Sequence, residues 1–126
     1  MTILAPKVKT EIAEELLEQP AEERQVTIVY GSFINCYSVY VDPAIRLIDE
    51  DSGAEARLIT AFHIGILPSN TLVSEITADP QLIFEGLPKS CRSFALYEPA
   101  RPGLTPFRVP GIRRNDTDLY VLEIVT

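Results

Sequence analysis

Apolar and polar positions near the start of the chain repeat with a helical period. Between residues 8 and 19, apolar side chains recur at a spacing of four residues, which predicts an amphipathic α-helix. Pro20 ends this helix, because its ring clashes with the preceding turn. The stripe consists of Val8, Ile12, Ala13, Leu16 and Leu17, and the other faces carry Glu11, Glu14, Glu15 and Glu18. The sequence therefore predicts one acidic helix, preceded by an extended arm over residues 1–7.

From Val26 onward the apolar positions alternate with a period of two, which is typical of β-strands. Turn residues separate the β-branched and aromatic segments at intervals of about 8–12 residues. Gly31 marks a bulge or bend in the first segment. We expect strands within 26–41, 56–67, 70–77 and 90–98, a strand or one helical turn within 81–87, and a final hairpin of 107–112 with 118–125.

This pattern predicts a mostly β protein, a small barrel or sandwich with one N-terminal α-helix. We expect residues 1–25 to form the arm and acidic helix, and residues 26–126 to form the β domain, within a single globular domain. The length of 126 residues suits one domain, which can bury a core without disulfides or metal. Cys36 and Cys91 lie in apolar segments and are expected to be free thiols.

Targeting signals do not stand out in the sequence. The chain starts without the basic and apolar segments of a signal peptide. No apolar stretch approaches the roughly 20 residues that span a bilayer. We therefore expect a protein that is cytoplasmic at synthesis and makes no membrane contact.

Catalytic and metal-binding motifs are also missing from the sequence. His63 is the single histidine, and no Gly-x-Ser-x-Gly motif accompanies it. The acidic segment 49–55 invites a calcium interpretation, but its glycine comes one position early and Thr60 replaces the final glutamate ligand. A hairpin turn explains this segment better. We expect no catalytic residue, no metal and no cofactor, and an enzyme relying on carboxylates is the least favoured alternative.

Aromatic residues in the β region support a different alternative, a small β-barrel that binds an apolar ligand. Tyrosines at strand spacing more commonly pack against each other across neighbouring strands. The residues expected to line such a ligand cavity are Tyr30, Tyr37, Tyr40 and Phe62.

Charge is distributed unevenly along the chain, whose net charge is −7. Residues 1–87 carry five cations against fourteen carboxylates, a net of −9. Residues 88–114 carry six cations against Glu98 alone, a net of +5, and the last twelve residues add −3. Five of those six cations are arginines, whose planar guanidinium suits contacts with carboxylates or phosphates. This layout indicates contact with another molecule, although acidic and basic elements within one fold explain it equally well.

We expect the arginines near the C-terminus to form a patch that meets the acidic helix of a neighbouring copy. Such a head-to-tail contact closes into a ring when the rotation between subunits allows it. Further copies of the chain or a larger protein assembly are therefore the expected partners, with nonspecific contact to a nucleic-acid backbone as an alternative. The predicted function is that of a non-enzymatic structural or assembly protein. The residues expected to interact are Glu11, Glu14, Glu15, Glu18, Arg101, Arg108, Arg113 and Arg114.

The segment PFRVPGIRRNDTDLYVLEIV, residues 106–125, combines a short strand, a Val-x-Gly-Ile step, a polar turn and an apolar strand. In this segment, and in its size and acidity, the chain resembles small β-barrel structural proteins of tailed bacteriophages. Those proteins complete the head–tail junction or decorate the capsid. The resemblance covers about 20 of the 126 residues. It implies a head–tail connector or capsid-decoration role, a place in the virion, and no catalytic residues.

Overall fold

The computed structural model describes residues 24–34, 36–69, 71–103 and 106–125. Within these ranges the chain forms nine β-strands and one short 3-10 turn, Val73–Glu75. The strands are β1 (Val26–Ile34), β2 (Ser38–Val39), β3 (Arg46–Asp49), β4 (Glu55–Phe62), β5 (Thr71–Leu72), β6 (Gln81–Phe84), β7 (Ser93–Glu98), β8 (Phe107–Arg113) and β9 (Leu119–Val125).

Seven strands form one curled sheet, a half-barrel, in the order β8-β7-β3-β4-β6-β1-β9. All neighbouring pairs are antiparallel except β1 and β9, which run parallel. The first and last strands of the described chain therefore lie side by side, and β8 and β9 form the two edges of the sheet. The remaining strands, β2 and β5, pair with each other.

The core lies on one face of this sheet, because β3, β6, β7 and β9 bury alternate residues there. On β7 the inner positions Phe94 and Leu96 are fully buried, and on β9 so is Tyr120. The rings of Phe94 and Tyr120 meet edge to face across the half-barrel, with their centroids 5.0 Å apart. This is a favourable geometry for an aromatic pair. The other largest fully buried side chains come mainly from the sheet strands and include Ile28, Leu47, Leu82, Phe84 and Ile112.

The two ends of the half-barrel differ in how the edge strands are connected. At one end residues 114–118 join the end of β8 to the start of β9, and we call this the link end. At the other end Phe107 begins β8 and Val125 ends β9. No β8–β9 strand pairing is present among the described residues. We call this second end the open end, and β2 lies beside it.

The structure confirms that the described chain is mostly β, in the form of a half-barrel. Gly31 is the site of a bulge, because the pairing of β1 with β9 shifts between Tyr30 and Ser32. A Cβ atom at Gly31 would lie only 2.7 Å from the Cγ1 atom of Val121. Segment 81–87 contains a strand, and the 49–55 turn joins β3 to β4 with Gly53 in the left-handed conformation at φ 79°.

Two sequence-based expectations about local structure were wrong. Strands β8 and β9 do not form a hairpin, since β8 pairs with β7 and β9 pairs with β1. Segment 70–77 supplies only the two residues of β5 before the 3-10 turn begins. The α-helix expected over residues 8–19 lies outside the described residues, and the described residues contain no α-helix. No helix in these ranges has the length and apolarity needed to cross a membrane.

Candidate functional site

A buried carboxylate organises the link end. The side chain of Asp118 has no exposed surface, and it accepts hydrogen bonds from Nε and Nη2 of Arg114, both at 3.1 Å. The hydroxyl of Tyr120 donates to the same carboxylate at 2.9 Å. Arg24 also lies close to this carboxylate, with its Nε atom 3.6 Å from Oδ2. Two guanidinium groups therefore surround one buried carboxylate, which compensates the cost of burying its charge.

The polar sequence around this carboxylate folds as a tight link. The Oδ1 atom of Asn115 accepts hydrogen bonds from the backbone amides of Thr117 and Asp118 at 3.1 and 2.7 Å. Asp118 itself adopts φ 52°, a left-handed conformation that aspartate tolerates. The turn expected from this polar sequence is present. It connects the two edge strands of the sheet and not the paired strands of a hairpin.

Cations gather around this link in a shallow depression of about 360 Å³. Arg24 and Arg114 form its floor, since their side chains are only 10% and 8% exposed. Lys89, Arg92 and Arg113 are exposed at its rim, and none of the three forms an ion pair with a residue that the structure describes. We call this site the cationic depression; its lining is Arg24, Lys89, Cys91, Arg92, Arg113, Arg114, Asn115 and Asp116.

The arginines expected to form one patch lie at both ends of the half-barrel. Arg113 and Arg114 belong to the cationic depression, but only Arg113 is exposed there. Arg108 is exposed near the opposite end of β8, opposite Tyr97 of β7. Arg101 binds the buried carboxylate of Asp42 at the open end. The acidic residues expected to meet them, Glu11, Glu14, Glu15 and Glu18, lie outside the described residues.

Three cations of the depression were not among the residues expected from the sequence. Arg24 precedes β1, and Lys89 and Arg92 precede β7, far from Arg113 in the chain. The excess of cations over residues 88–114 was a signal for Lys89 and Arg92. Nothing in the local sequence marked Arg24, because the strand order brings it to the link.

A second site is a cavity of about 230 Å³ at the open end, between the diverging edges of the sheet. Phe107 of β8 and Ile124 of β9, the two edge strands, both line it, and so does the buried Tyr30 of β1. Its walls are mainly apolar and aromatic, with one carboxylate. We call it the open-end cavity; its lining is Tyr30, Cys36, Ser38, Val39, Tyr40, Glu98, Phe107, Ile124 and Val125.

The carboxylate of the open-end cavity belongs to Glu98, which is only 8% exposed. Its Oε2 atom accepts a hydrogen bond from the backbone amide of Asp42 at 3.3 Å, and the hydroxyl of Tyr40 donates a second one. Burial raises the pKa of Glu98 above its usual value, and the nearby charge of Asp42 raises it further, although hydrogen bonds and Arg101 oppose the shift. The protonation state of a buried carboxyl such as Glu98 responds more strongly to a bound ligand than the protonation state of an exposed carboxyl does.

The open-end cavity includes two of the four residues expected around a ligand. Tyr30 and Tyr40 line it, and burial raises the pKa of both phenols, which therefore stay neutral at ordinary pH. Tyr37 is 80% exposed and Phe62 is 50% exposed, and neither belongs to the lining. Glu98 was missed as a cavity residue, because its place in the sequence shows only the end of a strand.

Other candidate chemistry has structural explanations. Asp49, in the segment that suggested calcium, accepts hydrogen bonds from the Ser52 hydroxyl at 2.7 Å and the Asp51 amide at 3.0 Å. No cluster of metal-ligating side chains occurs in the parts of the chain described here. Cys36 and Cys91 form no disulfide with each other, and burial together with the charge of Asp49 raises the pKa of Cys91 to about 11. That thiol is therefore a poor nucleophile at neutral pH.

Comparisons of this chain with protein-family models, with curated proteins and with solved structures found no match. The geometry of the two ends is therefore the basis on which the function is inferred.

Proposed function

We propose that this protein is a non-enzymatic assembly protein that docks onto an acidic protein surface through its cationic depression. The observation that supports this proposal is the group of three exposed cations, Lys89, Arg92 and Arg113, at the rim of one depression. They have no acidic partner among the described residues, although the whole chain carries a net charge of −7. A cluster of cations without an ion pair in the described part of an acidic protein favours an anionic partner.

A second copy of the chain is the partner that we favour. Residues 1–87 carry a net charge of −9, so each copy supplies an excess of carboxylates as partners for the cationic depression of the next. The contact joins two different surfaces, and it therefore builds rings or larger assemblies instead of a simple two-fold dimer. Docking onto a larger complex, such as a bacteriophage head–tail junction or capsid, is the setting that the sequence resemblance suggests.

The two neighbouring arginines of the link have different roles in this proposal. Arg113 is exposed and contacts the partner, whereas Arg114 holds Asp118 and donates a hydrogen bond to the carbonyl of Pro88. Substitutions that test assembly should therefore change Lys89, Arg92 and Arg113 and leave Arg114 in place.

Sedimentation velocity of the full chain, at about 0.05 M and about 0.5 M salt, tests the proposal. We expect self-association that weakens with added salt. An exposed ion pair contributes about 0.2–1 kcal/mol, so the triple reversal K89E/R92E/R113E should weaken association about tenfold or more. For the single variant R113E, the matched control is R108E, which reverses another exposed arginine of the same strand and should behave as the wild-type chain.

Several outcomes would contradict this function. A chain that stays monomeric at every concentration and at low salt does not assemble through its own copies. An equal loss of association in R108E and R113E would remove the special role of the depression. A third outcome is that the chain does not self-associate, that duplex DNA binds the wild-type chain at low salt, and that R113E does not bind it. The depression would then bind a nucleic-acid backbone instead of a protein.

We infer a second function, the binding of a small ligand, from the open-end cavity. An apolar cavity of about 150 Å³ accommodates benzene, and this cavity of about 230 Å³ has room for a ligand somewhat larger. A shift of amide resonances around Tyr30, Phe107 and Ile124 on addition of 1-hexanol would support it. No shift with this alcohol, nor with the amine and the carboxylate of the same chain length, at any soluble concentration would refute it.

A further inference from the structure

The carboxylate of the open-end cavity occupies a position where an apolar side chain is expected. Along β7 the inner positions are Phe94, Leu96 and Glu98, and the first two are fully buried in the core. Glu98 continues the same alternation and is also buried, at 8% exposure, where β7 reaches the cavity. A buried carboxylate costs free energy unless a partner compensates its charge. Glu98 therefore requires an explanation beyond packing.

The nearby charges compensate Asp42 and leave Glu98 without a cation of its own. The guanidinium of Arg101 lies 2.6 and 3.0 Å from the two carboxylate oxygens of Asp42, and the amide of Ala44 donates to the same carboxylate at 2.8 Å. Among the described residues, the donors to Glu98 are neutral, namely the amide of Asp42 and the hydroxyl of Tyr40. Within the described chain it forms no ion pair. Ionised Glu98 thus adds one negative charge that, among the described residues, only the charge of Arg101 offsets, and Arg101 is already paired with Asp42.

The walls of the open-end cavity suit the apolar and cationic parts of one ligand. Tyr30, Tyr40 and Phe107 supply aromatic rings, whose faces attract a cation as well as an apolar group. Val39 and Ile124 complete an apolar wall next to these rings. A ligand with an apolar body and a cationic head is therefore complementary to the whole lining, whereas a purely apolar ligand leaves the carboxylate buried and unpaired.

We propose that the open-end cavity binds a small organic cation, an ammonium group on an apolar body of about six to eight carbon atoms. The ammonium group pairs with Glu98, and the body packs against Tyr30, Phe107 and Ile124. This inference depends on the second proposed function, ligand binding at the open end, and it adds the chemical class of the ligand. With about seven ligand heavy atoms to bury, the dissociation constant is expected on the order of 1 mM or somewhat below.

The proposal is tested by titrating the full chain with three ligands of matched size, n-hexylamine, 1-hexanol and hexanoate. A hydrogen bond to a charged group is strong enough for hexylamine to bind about tenfold more tightly than hexanol, with hexanoate weakest. In Glu98→Gln, hexylamine should lose about tenfold in affinity while hexanol is unchanged. The matched control is Glu123→Gln, which removes an exposed charge of β9 outside the cavity lining and should leave all three affinities unchanged.

If Glu98→Gln does not fold, ligand affinities of the wild-type chain measured over a range of pH test the same proposal. The groups that face Glu98 are Asp42, Arg101, Tyr40 and Tyr30, and the two phenols stay neutral. Because the cation needs ionised Glu98, hexylamine affinity should rise as the pH rises through the pKa of this carboxyl, whereas hexanol affinity should stay flat.

Each remaining outcome separates the two claims. Equal affinity for hexylamine and hexanol would keep ligand binding and overturn the charged head group. Equal losses of hexylamine affinity in Glu98→Gln and in Glu123→Gln would also overturn it. Absence of binding by all three ligands would overturn both the ligand class and the ligand-binding function.

Discussion

The two ends of the half-barrel use the same kinds of side chain in different proportions. At the link end the buried carboxylate of Asp118 is held by the guanidinium groups of Arg24 and Arg114. At the open end the guanidinium of Arg101 pairs with the buried carboxylate of Asp42, and the buried carboxylate of Glu98 has no ion pair within the described residues. The cluster around Asp118 therefore has more positive charge than its carboxylate requires, and the cluster of Asp42, Glu98 and Arg101 has less.

This difference indicates how one half-barrel can hold two kinds of site. Where buried charges are compensated and connected, as around Asp118, the cluster closes the end of the sheet and its surplus cations face outward. Where a buried carboxylate lacks a cation, as at Glu98, the end stays open and the missing charge has to come from a ligand or from protonation.

The largest expected effect is at the link end. Asp118→Asn leaves two guanidinium groups at the depression floor without their carboxylate. Breaking a buried ion pair by removing one partner costs about 3–5 kcal/mol of unfolding free energy. Urea denaturation of this variant should show such a loss. Asp116→Asn is the matched control, because Asp116 is exposed in the same link and should cost less than about 0.5 kcal/mol.

A smaller effect is expected from the corresponding arginine of the open end. The side chain of Arg101 is 44% exposed, so water partly replaces it when it is removed. Arg101→Ala should therefore cost about 1–2 kcal/mol, less than Asp118→Asn in the same denaturation assay. If the two losses were equal, the distinction between a compensated and an open end would not hold.

Acidic pH should act on the two ends with opposite sign. Burial raises the pKa of Glu98, so its stabilising contribution is full below the ordinary value of 4.5 and is lost as the pH rises through the folded pKa. Although burial alone would raise it, hydrogen bonds from Ser52 and backbone amides lower the pKa of Asp49, near the link end. The stabilising contribution of Asp49 is present above pH 3.8, the ordinary pKa of this group, and is lost as the pH falls through the folded pKa.

Glu98→Gln should consequently gain stability relative to wild type as the pH rises from about 4 to about 7. The difference in stability between Asp49→Asn and the wild-type chain should shrink as the pH falls below about 4. Urea midpoints measured for both variants across this range provide the check. If the urea midpoints of both variants, relative to wild type, changed in the same direction with pH, the pKa values of these two carboxyls would not be shifted in opposite directions.

The smallest effect is expected at the rim of the cationic depression. Arg113→Ser removes an exposed side chain that forms no ion pair within the described chain. Its unfolding free energy should change by less than about 0.5 kcal/mol. A loss above about 2 kcal/mol in thermal or urea unfolding would mean that Arg113 has a structural role like that of Arg114.

Much of the local structure could be predicted from particular residues. The period of two placed strands at β1, β4 and β7, and Gly31 marked the bulge in β1. Turn chemistry at 49–55 and at 115–118 was also recognisable, because these side chains hydrogen-bond to their own backbone. The candidate sites were predicted only in part: Arg113 and Arg114 for one end, and Tyr30 and Tyr40 for the other.

The pairing of strands is where sequence reasoning failed. Two strands joined by a short polar link suggested a hairpin, yet β9 lies parallel to β1 and β8 lies against β7. Alternation fixes which side chains face the core. It does not determine which strands are neighbours, because every strand offers nearly the same backbone donors and acceptors. The link therefore spans the gap between two edges, which buries Arg114 and exposes Arg113.

The sequence by itself determined the β character, the turns and the unequal charge of its two parts, since these depend on side chains near one another in the chain. Tertiary structure alone decided that Arg24, Lys89 and Arg113 meet at one end and that Tyr30, Glu98 and Ile124 meet at the other. The physical reason is range: local preferences act over a few residues, whereas both sites join groups brought together by the order of strands in the sheet.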